Sequence, residues 1–172
     1  MTYDPENHHR RSIRLKGYDY SLAGAYFITL NIDNCDNLLG SIHNGKVKLS
    51  DAGRIVQDIW LQLEELPGIT LDEWVVMPDH LHGILVIKDD PSLPKRITSG
   101  VTRYERRTMT LPKAIGRFKM ISAKLINQQR RTPGVAVWQR DYYERIIRDD
   151  QALKNIRNYI RDNPRIPRKG GS

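Results

Sequence analysis

The chain has 172 residues and a formal net charge of +8, a length that suits one domain spanning 1–172 with a substantial core. A single cysteine, Cys35, excludes an internal disulfide framework and a cysteine-rich zinc site. No apolar run approaches membrane-spanning length, and residues 1–12 lack the apolar region of a signal peptide, so a cytoplasmic protein without a membrane partner is expected.

Charge is divided unevenly along the chain. Residues 1–94 hold 8 Lys/Arg against 14 Asp/Glu, a balance of −6, whereas residues 95–172 hold 20 against 6, a balance of +14. So cationic a half points to a polyanionic partner, with nucleic acid ahead of acidic lipid because no stretch pairs a basic face with a bulky apolar one. A well-solvated basic surface is the plain alternative.

In chain order, residues 1–20 read as a basic arm. Arg10, Arg11, Arg14 and Lys16 are interleaved with Tyr18 and Tyr20, which offers charge for phosphates and rings for bases. Residues 25–32 read as a buried strand rich in β-formers. Residues 38–42 and 46–49 form a hairpin about Asn44-Gly45. Ser50 or Asp51 caps a helix running to about Leu66, with Ile55, Ile59, Leu63 and Leu66 at helical spacing, and Pro67-Gly68 ends it. Two strands follow, 71–77 and 80–88, joined by the turn signal Pro78-Asp79. Residues 89–110 show no periodicity and read as a long mobile loop. A helix from near Pro112 to about Gln129 has one apolar face and carries Arg117 and Lys124. Short strands are expected at 135–138 and 142–147. The last helix is capped by Asp149 or Asp150, carries Leu153, Ile156 and Ile160 as its stripe, and ends at Asn163-Pro164. Residues 164–172 form a basic tail. Without the small insertions the order is β-α-β-β-α-β plus a helix. This is an α+β, ferredoxin-like antiparallel sheet with helices on one face and a further helix at the C-terminal end.

The chemistry centres on His80-Leu81-His82. Side chains alternate along a strand, so both imidazoles point to one side and out of the core. Two imidazoles want a further ligand. On the last helix Tyr159 and Asn163 lie one turn apart. The Asn163 amide oxygen suits Mg²⁺ or Mn²⁺, and Tyr159 places a phenol beside such a metal as a nucleophile for phosphoryl transfer. Taken singly, each of these residues also has an ordinary structural use: His80 bonding the turn, His82 at a sheet edge, Tyr159 in packing, Asn163 ending a helix. Tyr142 and Tyr143 read as packing or base-stacking residues.

Residues Met77-Pro78-Asp79-His80-Leu81-His82-Gly83 resemble the HUH motif of single-tyrosine transposases, and Tyr159-Ile160-Arg161-Asp162-Asn163-Pro164 resembles their catalytic-tyrosine helix. The opening Arg10–Tyr20, the strand Gly24–Leu30 and the segment Trp138–Asp149 match the REP-associated tyrosine transposases within that superfamily. The resemblance implies cleavage of single-stranded DNA with a divalent metal, leaving a 5′-phosphotyrosine and a free 3′-hydroxyl. It implies His80, His82 and Asn163 as ligands for Mg²⁺ or Mn²⁺, Tyr159 as nucleophile, and palindromic hairpin DNA as partner. Arg10, Arg11, Arg14, Lys16, Tyr18, Arg117, Lys124, Trp138, Arg140 and Arg148 are the candidate DNA contacts. A monomer is expected, with a dimer that exchanges the tyrosine helix as the alternative. The basic end after Asn163-Pro164 departs from the longer tail of many relatives. Two other functions compete: a hairpin-binding protein without catalysis, and a phosphodiesterase using activated water.

Overall fold

Strand β1, Gly24–Asn31, lies inside a four-stranded sheet, because it is β-rich along its length and buried on both sides. The computed structural model describes residues 19–35, 37–89 and 109–165. The element order after β1 is β2 (Gly40–His43), β3 (Lys46–Leu49), α1 (Asp51–Leu61), β4 (Ile69–Val76), β5 (His80–Ile87), α2 (Thr110–Arg130), β6 (Tyr143–Ile147) and α3 (Asp150–Asp162). The sheet order is β4-β5-β1-β6, with antiparallel neighbours throughout. With the β2–β3 hairpin set aside, this is the ferredoxin-like order expected from the sequence.

Local chemistry accounts for the element ends. The β2–β3 turn places Asn44 at φ 50 and Gly45 at φ 69, left-handed values that Asn-Gly tolerates and most residues do not. Ser50 caps α1 by accepting from the Gly53 backbone N–H at 3.1 Å, and Asp149 caps α3 by accepting from the Ala152 N–H at 2.7 Å. The helix expected to reach Leu66 is α-helical only to Leu61 and finishes as a 3-10 turn, Gln62–Glu65.

The two faces of the sheet are covered differently. Tyr26, Ile28 and Leu30 of β1 and Leu81 and Leu85 of β5 face α1 and α2, packing with Val56, Trp60, Ile115 and Phe118 in the main core. Trp60 meets Phe118 edge-on at 5.4 Å, and Phe118 meets Trp138 at 5.4 Å. Gly83 lets the Trp60 indole lie on β5: a Cβ there would stand 2.4 Å from Cζ2 of Trp60. The opposite face carries Phe27, Ile84 and Ile147, covered by Ile156 and Ile160 of α3.

Several expectations are corrected. Residues 135–138 form no strand; Trp138 makes only an isolated bridge with Ile32. Asp19 and Tyr20, expected in a surface arm, are buried: the Tyr20 carbonyl accepts from the Leu111 N–H at 3.2 Å. Met109, expected at the end of a mobile loop, is a core residue. The basic arm through Tyr18, the bulk of the expected loop (90–108) and the tail from 166 onward lie outside the described residues.

Candidate active site

His80 and His82 open β5 directly after the Pro78-Asp79 turn. That turn is fixed from several sides: the Ile32 N–H donates to the Asp79 carbonyl at 2.8 Å, the Leu39 N–H to the Pro78 carbonyl at 2.8 Å, and the Met77 N–H to the His80 carbonyl at 2.8 Å. The two rings sit side by side with centroids 4.4 Å apart. Leu81 between them is fully buried in the main core, as strand alternation requires.

The histidines were expected to point out of the core. They do lie on the face opposite the main core, but they are only 7% and 6% exposed, and Tyr159 of α3 lies against the His82 ring. Buried imidazoles need partners, and the chain supplies them at Nδ1. His80 Nδ1 lies 2.8 Å from an Asp79 carboxylate oxygen, and His82 Nδ1 lies 2.8 Å from Thr29 Oγ1. A carboxylate accepts, so His80 carries its proton on Nδ1. Phe27 stacks on the His82 ring at 5.4 Å and 29°. Asp79 and Thr29 are site residues that the sequence reading did not single out. Asp79 had one signal, its place immediately before the first histidine; Thr29 becomes visible only from the register, where it pairs with His82.

Helix α3 brings Tyr159 to the same place. At about 100° per residue, Ile156 and Ile160 point at the sheet. Tyr159 and Asn163 fall on one flank of that stripe, Arg157 and Arg161 on the other. The Tyr159 hydroxyl lies 3.3 Å from His82 Nε2, and its ring meets those of His82 at 5.3 Å and Phe27 at 6.1 Å. Tyr159 remains 45% exposed. Histidines and tyrosine therefore meet within one chain. Asn163 is the C-terminal cap of α3, partly buried, and opens a 3-10 turn, Asn163–Arg165.

The other flank is held by ion pairs. Arg157 Nε donates to Asp72 at 2.8 Å and Arg161 Nε to Glu73 at 2.7 Å. Adjacent strand residues normally face opposite sides. Here a β-bulge between Leu71 and Trp74 inserts one residue and aims both carboxylates at α3. The Arg157 hydrogen bond holds the Asp72 carboxyl below its ordinary pKa, helped by the Glu73 N–H and the charges of Arg157 and Arg161, against an opposing effect of burial.

The candidate DNA contacts separate into three sets. Arg117, Lys124, Arg140 and Arg148 are exposed, as a phosphate contact requires. Trp138 is not: it is 7% exposed, with its indole N–H donating to Ser122 Oγ at 2.9 Å, so packing against Phe118 takes a side chain that was expected to contact DNA. Arg10, Arg11, Arg14, Lys16 and Tyr18 lie outside the described residues.

The fold has a solved counterpart. A REP-associated tyrosine transposase, itself bound to a REP hairpin, superposes with a TM-score of 0.51 over 90% of this chain and 70% of that one, at 18% identity. The class is thus an α+β domain that shares the fold of that structure. No family model matches the chain. A Haemophilus influenzae protein without a functional name is 38% identical over 168 residues, covering 94% of this chain and 92% of that protein. A second H. influenzae protein, provisionally named a REP-associated tyrosine transposase, is 34% identical over 148 residues, 85% of this chain and 73% of its own length. The chain belongs to the REP-associated tyrosine transposase family.

Proposed function

We propose that the chain is a metal-dependent endonuclease and strand transferase that cuts single-stranded DNA at REP-type hairpins through a 5′-phosphotyrosine link. The observation that supports this most is the approach of the Tyr159 hydroxyl to within 3.3 Å of His82 Nε2, on a face where both histidines have their Nδ1 atoms tied back. An outer partner on Nδ1 orients a metal-ligating imidazole through Nε2. The donor chemistry fits Mg²⁺ or Mn²⁺ when the Asn163 amide oxygen is added to the two nitrogens. Among the described residues no three of His, Cys, Asp and Glu meet in one place, so this donor set relies on Asn163. The ion, when bound, would polarise the phosphate and offset the charge that develops on it.

The remaining steps belong to the chain's own side chains. The Tyr159 oxygen attacks phosphorus, the bond to the 3′-oxygen breaks, and a tyrosyl phosphodiester forms. In net terms the phenol proton ends on the departing 3′-hydroxyl. A phenol is a weak nucleophile until its surroundings draw off this proton. A phosphotyrosine keeps the energy of the broken link, so a DNA 3′-hydroxyl can reverse the step and rejoin strands without ATP. Exposed Arg117, Lys124, Arg140 and Arg148 would meet the backbone, and binding would weaken steeply with salt. Helix α3 reaches the histidines within one chain, which favours a monomer acting on its own.

The test is incubation with end-labelled, single-stranded palindromic DNA and Mn²⁺, followed by a denaturing gel. A covalent protein–DNA band is expected, and Tyr159→Phe abolishes it while leaving the melting temperature nearly unchanged, since Tyr159 is half exposed. Cleavage without a covalent band, untouched by Tyr159→Phe, would replace this reading with water-activated hydrolysis. Tight binding with no cleavage would leave a DNA-binding protein.

A further inference from the structure

The cross-strand row that contains the candidate site continues past it. His82 pairs with Thr29, and Thr29 pairs with Tyr143 on β6. Partners in one row point to the same face. Tyr143 therefore lies on the histidine face two strands from His82, a separation of about 10 Å from the strand spacing. Aromatic contacts run the same way: His82 stacks on Phe27, and Phe27 meets Tyr143 edge-on at 6.2 Å. At the end of this row Tyr143 is 38% exposed, on the edge strand of the sheet.

Arg145 follows two residues later on the same face and is exposed. Tyr143, Arg145 and Arg148 line an open cleft of about 350 Å³ that wraps the edge of β6 and reaches Tyr20 and Ile146 on the main-core side. Glu144 and Asp149 also line it. The Asp149 carboxylate is turned to its own helix, accepting from the Ala152 N–H, and Glu144 is buried on the other side of the sheet, opposite Ile28. The groups presented on the histidine face are thus a ring and a guanidinium. That pairing suits a nucleotide, with a π-face for the base and a planar cation for its phosphate.

We propose that Tyr143 and Arg145 form a subsite for a nucleotide flanking the scissile phosphate, with its base stacked on the Tyr143 ring and its phosphate met by Arg145. This rests on the strand-cleavage reading for its direction, because the row leads from Tyr159 through His82 and Phe27 to the edge of β6. It adds a positioning role that neither the two histidines nor the tyrosine supplies.

Binding of the full chain to fluorescein-labelled dT12 in EDTA, read by anisotropy, tests it without any cleavage. Tyr143→Ala is expected to weaken binding by about 5- to 150-fold, the range of one base–aromatic stack, and Tyr143→Phe to restore it. Arg145→Ala is expected to lower the slope of log K against log salt by about 0.7, the value for one single-strand phosphate. A 2-aminopurine placed within dT12 should be quenched by the wild type and by Tyr143→Phe, not by Tyr143→Ala. Failure of the wild type to bind dT12, or wild-type binding and quenching in a folded Tyr143→Ala, overturns the subsite. The covalent-band assay separates this from the reading it rests on. An adduct whose yield is indifferent to Tyr143 and Arg145 sinks the subsite and leaves strand transfer standing. Tyr143-dependent binding with no adduct does the reverse.

Discussion

The two faces of the sheet divide the work of the molecule. Beneath α1 and α2 lies a broad apolar layer with Trp60, Phe118 and Trp138 at its centre. Beneath α3 lies a small cluster, Phe27, Ile84, Ile147, Ile156 and Ile160, beside two buried histidines and two arginine–carboxylate pairs. One strand serves both: β5 sends Leu81 and Leu85 into the first layer, and His80, His82 and Ile84 into the second. The first face buries enough apolar surface to fix the strand. The second can then hold polar groups at distances that chemistry needs. A site built this way borrows its rigidity from residues that never touch it.

That division can be broken from either side. The largest effect is expected from Trp60→Ala, which opens a cavity in the broad layer and should cost about 3–5 kcal/mol in chemical unfolding. Gly83→Ala attacks the same contact through the histidine strand, and overpacking against Trp60 should cost about 1–3 kcal/mol. If it leaves stability unchanged, the indole is not what holds β5 from behind. On the α3 side, the double variant Arg157→Ala/Arg161→Ala should change global stability only slightly, since partly exposed ion pairs contribute little each. It should instead raise hydrogen exchange in α3 selectively and reduce covalent-band yield. Equal exchange across α1, α2 and α3 would mean that the ion pairs do not dock that helix.

The smallest effect follows from Asp72. Its carboxyl is held below the ordinary value of 3.8 by Arg157. A depressed folded pKa gives stability that is fully present above that ordinary value and is lost as pH falls through the lowered one. Exchange in α3 should therefore accelerate on acidification below about pH 4, and Arg157→Gln should flatten this dependence. An acid response unchanged in Arg157→Gln would assign it to another carboxylate.

Much of the fold was legible because local rules act locally. His80-Leu81-His82 shows its alternation in three letters, Asn44-Gly45 names its turn, and Ser50 and Asp149 cap as their chemistry predicts. The Tyr159–Asn163 spacing places both on one flank of a helix whatever that helix packs against. Other features arise only from long-range packing. The cover that Tyr159 gives His82 depends on α3 lying across that strand, and Thr29 joins the site through register alone. The bulge at Asp72-Glu73 leaves no periodic trace, because one inserted residue looks like any strand with two acids. Trp138 misled because an indole near arginines suits a base and a core equally well, and Ser122 decided between them.

The unequal anchorage of the site sets an order of events. His80 and His82 are part of a strand fixed by the turn, the ladder and the core behind it, and Asp79 and Thr29 keep their rings aimed without help from α3. Tyr159 rides on a helix joined to the sheet by a small apolar cluster around Ile156 and Ile160 and by two partly exposed ion pairs. Under the proposed chemistry, the helix can lift with its cargo while the imidazole pair stays formed. Capture of a DNA strand and delivery of the nucleophile are then separate acts, and a severed end attached to Tyr159 has a tether rather than a wall.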